Sequence, residues 1–127
     1  MSEDRADPAD EQPVVLLTYR GCAVTLDHRD TEVAVSLAGE IDLDNADQVL
    51  AVLRPLIEEA PSSIAVDLGA LQFIDSFGIS RLIIAQQSAI DFGVSLSLRN
   101  PRPETHRVFV VAGLTDYLRI DGPAAAS

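Results

Sequence analysis

The chain has no tryptophan and no lysine, one cysteine, one methionine and two histidines in 127 residues. Each shortage removes a class of chemistry. A lone Cys22 forms no internal disulfide, which agrees with a reducing compartment, and its alternation with Val24 and Leu26 makes it a small core side chain rather than a redox group. One cysteine and two distant histidines make no metal-ligand set. Without lysine, and with seven scattered glycines, there is no glycine-rich phosphate loop, so no nucleotide or other cofactor is expected. Nine basic residues, all arginine, stand against twenty acidic ones. The net charge of -11 argues against nucleic acid or an anionic membrane as partner and favours a basic protein. No apolar run approaches the ~20 residues needed to span a bilayer, and the start lacks the basic and apolar regions of a secretory signal. A cytoplasmic protein is expected.

What is present is a chain that is 47% hydrophobic, long enough for one core and too short for two. The start, "MSEDRADPADEQP", is polar and acidic, and residues 1–12 are expected to be disordered, as are the terminal residues 123–127, leaving one domain over 13–122. "VVLLTY", Val14 to Tyr19, reads either as an edge strand or as a segment laid over the core. "CAVTLDHRDTEVAVSLAGEID" holds two alternating runs, Cys22/Val24/Leu26 and Val33/Val35/Leu37, around the polar "HRDT" turn containing His28. That pattern predicts an antiparallel hairpin.

From Asp44 the period changes to three and four, with Ala46, Val49, Leu50, Leu53 and Ile57 on one stripe and Asp44 and Asp47 near the helix start. Pro55 predicts a kink or an end near Arg54. "SIAVDL" reads as a strand that "GALQ" leaves, and Ser76 to Asp91 as a second helix with the stripe Ile79, Leu82, Ile83 and Ile90, stopped by Gly93. "VSLSL" is a further strand, Pro103 to Gly113 a third helix, and "TDYLRI" a candidate short last strand. Strands alternating with helices require crossovers, so the expected fold is α/β: a mixed β-sheet opened by a hairpin, with helices packed on it.

The stretch "FIDSFGIS" sets Asp75 and Ser76 at a helix mouth. A serine nucleophile needs a base, and His28 and His106 are both remote in sequence, with no nucleophile elbow around Ser76. An enzyme is not expected. The acids of "EIDLDNAD" lack the glycine and distal glutamate of a calcium loop and suit helix capping instead. Ser76 fits a helix N-cap, and its exposed hydroxyl would also be open to a kinase. A phosphate there would bring about -1.5 to -2 charge beside Asp75, enough to spoil an interface without unfolding the domain.

These residues resemble the STAS domain family of bacterial anti-sigma factor antagonists. "VDLGALQFIDSFGIS" is similar to the segment in which Asp-Leu ends a strand and apolar-Asp-Ser-x-Gly opens a helix. "LAGEIDLDNAD" resembles the family's Gly-Glu-apolar-Asp segment, and "RNPRPETHRVFVVAGL", with Arg107 and Gly113-Leu114, its turn into a third helix. The resemblance spans Cys22 to Ile120 and implies a regulator that captures an anti-sigma factor serine kinase and frees a sigma factor. It implies that this kinase, using ATP, phosphorylates Ser76 and so switches the protein off, and that a phosphatase reverses the step. Asp42, Asp75, Ser76, Phe77 and Gly78 then form the partner surface. Phe77 stands where the family commonly has Ser or Thr, and Ser80 where Gly is frequent. Phe77 reads either as an aromatic anchor for a partner or as a side chain tucked against the fold. The resemblance leads to the expectation that the family's usual last helix is missing or replaced. A scaffold without phosphorylation, part of a transporter or signalling complex, is the alternative reading.

Overall fold

A computed structural model describes residues 13–29 and 32–121, and the tail calls over 1–12 and 123–127 fall outside them. Five strands and three helices follow in the order β1 (Val14–Tyr19), β2 (Cys22–Arg29), β3 (Glu32–Ile41), α1 (Ala46–Glu58), β4 (Ser63–Ile74), α2 (Ser76–Asp91), β5 (Ser95–Arg99) and α3 (Pro103–Val111). They form one small α/β domain on a single mixed sheet in which spatial order equals chain order, β1-β2-β3-β4-β5. The β1/β2 and β2/β3 pairs are antiparallel; β3/β4 and β4/β5 are parallel. "VVLLTY" is therefore an edge strand.

The hairpin is longer than its composition suggests. His28 pairs with Val33 and Arg29 with Glu32, so His28 lies in β2 and not in the turn. Alternation buries Cys22, Val24 and Leu26 together with Val33, Val35, Leu37 and Ile41, on the face where α1 and α2 pack.

Helix α1 buries the predicted stripe and Leu56 besides. It does not end at Arg54: Pro55 lies inside it, on the exposed side, so the carbonyl four residues back that loses its donor belongs to exposed Ala51 and faces water. Strand β4 likewise runs on through "GALQ" to Ile74. Two register shifts against β3, between Ser36 and Ala38 and between Gly39 and Glu40, absorb the extra residues as bulges, and the Asp67 carboxylate accepts from the Gly69 amide at 2.7 Å.

Helix α2 begins and ends where predicted, and of its predicted stripe Leu82 is buried while Ile79 and Ile83 pack, partly buried, against the core. Its buried residues are Gly78, Leu82, Ala85, Gln86 and Ala89, whereas Ile90 is 59% exposed. Small side chains let α2 lie close to the sheet, and Ile90 falls off that narrow seam. Gly93, with φ of 73°, closes the helix, and the amide of Val94 donates to the carbonyl of Ala89. Helix α3 lies against β4 with Phe109 fully buried. "TDYLRI" forms turns, and only Ile120 makes a parallel bridge, to Leu98. Buried Gln86 donates to the carbonyls of Leu96 and Tyr117, fastening this closing segment to α2 and β5.

Candidate partner-binding site

Parallel pairing of β3 and β4 sets Ile41 beside Ile74, so the chain leaves both strands at the same level. The Asp75 amide donates to the Ile41 carbonyl at 3.1 Å, which holds the Asp42 loop and the Asp75 loop side by side. Two segments more than thirty residues apart in sequence thus share one end of the sheet, the carboxyl ends of parallel strands, where open α/β folds place their binding surfaces.

The Asp42 loop is built by its own polar groups. The Asp42 carboxylate accepts from the Asp44 amide at 3.0 Å, and its carbonyl accepts from the amides of Asn45 and Ala46. Asn45, fully buried, accepts from the Asp42 amide through Oδ1 and donates through Nδ2 to the carbonyls of Arg20 and Glu40. It is the N-cap residue of α1 yet makes no side-chain cap bond, because its amide group is spent joining the β1/β2 turn, the end of β3 and the loop. The acids beside it were expected to do the capping, and only Asp47 lies in the first turn. Asn45 was missed in sequence, although an asparagine just before a helical period is a recognisable signal.

At the second loop the N-cap of α2 is Asp75, not Ser76. The Asp75 carboxylate accepts from the Gly78 amide at 3.0 Å, as an N-cap acid should. Ser76 is the first helical residue; it is exposed, and its hydroxyl has no hydrogen-bond partner among the described residues. Gly78 is buried, and a Cβ there would stand 2.6 Å from Ile74 Cγ1 and 2.7 Å from Ile41 Cγ2. Its missing side chain lets the helix start sit down on both strand ends, lifting Ser76 and Phe77 outward. Phe77 is 42% exposed, and Leu43, unnoticed in sequence, is 64% exposed on the neighbouring loop.

The surface is thus an acidic one, with Asp42, Asp44 and Asp75 around the apolar Leu43 and Phe77. Beneath it, Cys22 is buried, and burial, with Asp42 adding to it, pushes its thiol above the ordinary range, which disfavours the thiolate. His28 lies in strand register with Val33, which pairs with Ile64 at the far end of β4 from Ser76. Among the described residues no group of His, Cys, Asp and Glu is arranged to hold a metal ion, and no helix is long and apolar enough to cross a membrane. A polar groove of about 450 Å³ between β5 and residues 115–121 contains none of the candidate residues.

The chain is 28% identical over 97 residues to the anti-sigma-B factor antagonist of Bacillus subtilis, covering 76% of this chain and 88% of that one. An anti-sigma factor antagonist from Mycobacterium paratuberculosis superposes with a TM-score of 0.71 at 22% identity, covering 86% of this chain and 92% of the other. The anti-sigma factor antagonist SpoIIAA in its unphosphorylated form does so with a TM-score of 0.66 at 25% identity, over 78% and 88% of the two chains. A family model described as "Mlab, STAS domain" matches residues 24–120, a span that includes both loops of the site and every helix among the described residues. The chain therefore belongs to the STAS domain family.

Proposed function

We propose that this protein is an anti-sigma factor antagonist that binds an anti-sigma factor with serine-kinase activity through the Asp42/Asp75 surface, releases a sigma factor, and is switched off when Ser76 is phosphorylated. The observation that carries the reading is the exposed Ser76 hydroxyl at the first position of α2, without a partner among the described residues, flanked by Asp75 and set beside Asp42. The relatives named as anti-sigma factor antagonists support the partner class, and the acidic surface suits a basic partner. In the modifying step the Ser76 oxygen bonds to the γ-phosphorus of ATP, the bond to the bridging oxygen breaks, ADP leaves, and the hydroxyl proton passes to a base of the kinase.

The phosphoryl group brings about -1.5 to -2 charge onto a surface that is already acidic. It meets the amide end of α2, so the fold tolerates it, while a partner packed over Leu43 and Phe77 is repelled and must strip water from the new charge. Asp42, Asp75 and Phe77 are contacts in this reading, and Gly78 acts from beneath by fixing their level. A phosphatase removing the group restores binding, and the exchange takes place in the cytoplasm. The test is to incubate the protein with ATP and its cognate anti-sigma factor, map the phosphosite by mass spectrometry, and measure binding by calorimetry. Phosphate on Ser76, and at least about tenfold weaker binding of Ser76→Asp, a loss of about 1.4 kcal/mol, are expected. Phosphate on another residue, or undiminished binding by Ser76→Asp, would sink the reading.

A further inference from the structure

We propose that Arg81 reads the phosphorylated state: when Ser76 carries phosphate, the Arg81 guanidinium exchanges the Asp47 carboxylate for the phosphate and so releases the ion pair that ties α1 to α2. The proposal rests on the phosphorylation reading above and names a regulatory contact within it.

Arg81 Nε donates to Asp47 Oδ1 at 2.7 Å, and its Nη1 donates to Ser80 Oγ at 2.8 Å. Ser80 in turn donates to the Phe77 carbonyl at 2.8 Å, which fixes its hydroxyl. Ser80 is four residues after Ser76, so the two stand one above the other on the same face of α2. Helical side chains lean toward the N-terminus, so the Ser80 hydroxyl leans along that face toward Ser76, and the link from Ser76 to Arg81, five residues on, is the guanidinium's bond to that hydroxyl. An arginine has five N–H donors. Two of Arg81's are used, which leaves three without a partner among the described residues, on a guanidinium of fixed orientation. Phosphate, with three acceptor oxygens, fits such a fork better than a single carboxylate oxygen does.

The charges around it make the exchange favourable. Facing this surface are Asp47 of α1, Asp42 and Asp44 of the preceding loop, and Asp75 at the start of α2. The other nearby cation, Arg20, lies over the Tyr19 ring, 5.4 Å from its centroid, and is drawn also to Asp44. The Asp47 partner is 71% exposed, so the pair to be broken is a weak surface one.

Phosphoserine inserted at position 76 during translation tests this without any kinase. The phosphate's second ionisation is followed by its 31P shift against pH, together with the Arg81 Nε–H resonance. A cation in contact favours the dianion, so Arg81→Gln is expected to raise the midpoint by about one unit, and Arg81→Lys to bring most of it back. The Nε–H resonance should move when phosphate is present. A midpoint that Arg81→Gln leaves in place, or that Arg81→Lys fails to restore, overturns the proposal. Because no kinase is used, a kinase that ignores Ser76 would defeat the functional reading alone, and an unmoved midpoint would defeat this one alone.

Discussion

Asn45 illustrates how one buried amide can decide the shape of a surface it does not reach. Its three hydrogen bonds satisfy the carbonyls of Arg20 and Glu40 and the amide of Asp42, all at the base of the candidate site. Removing it strands these part-buried groups, and each one that water does not reach costs about 1–3 kcal/mol. Asn45→Ala is expected to destabilise the domain by roughly 2–4 kcal/mol, measured by urea unfolding. In the same variant the Asp42 and Asp44 amides should lose protection in hydrogen exchange ahead of the sheet. Uniform loss of protection across β3 and β4 would show that Asn45 supports the whole core and not this loop.

Among the elements, α1 carries the clearest conflict between local preference and packing. Pro55 costs a helix interior up to ~3 kcal/mol, yet Leu53, Leu56 and Ile57 flank it and are buried, so the core holds the last turn together across it. Pro55→Ala restores the donor for the Ala51 carbonyl and should stabilise the protein by about 1–2 kcal/mol, some of the gain being lost to the freer unfolded chain. A lower urea midpoint in Pro55→Ala would mean that proline is matched to its place. The same conflict explains what could be read in the sequence. Val33/Val35/Leu37 and Ala46/Val49/Leu50/Leu53 repeat with the period of their own element, and they fold as that period says. Pro55 and "GALQ" announce breaks that long-range burial overrides, and Ile90 obeys the helical period but lies outside the narrow seam of small residues on α2. At the site, Asp75 and Ser76 were legible as a helix mouth, though their capping roles were exchanged. The approach of Leu43 to that mouth depends on strand register, which no local pattern contains.

Across the whole molecule, charge is the dominant asymmetry. The chain's net charge of -11 repels itself, and salt screens exposed charges within about 10 Å at 0.1 M. The urea midpoint is therefore expected to rise between roughly 10 mM and 200 mM sodium chloride, with the gain flattening as the screening length shrinks below the spacing of the acids. A midpoint that falls with salt would mean that pairs such as Arg99–Glu32 and Arg81–Asp47 outweigh the repulsion. The sheet order has a separate bearing on how the molecule comes into being. Every strand settles beside the one translated just before it, so a chain emerging from the ribosome always finds its docking edge already built. Assembly can advance like a closing zip from the amino end, with no strand left waiting for a neighbour not yet made.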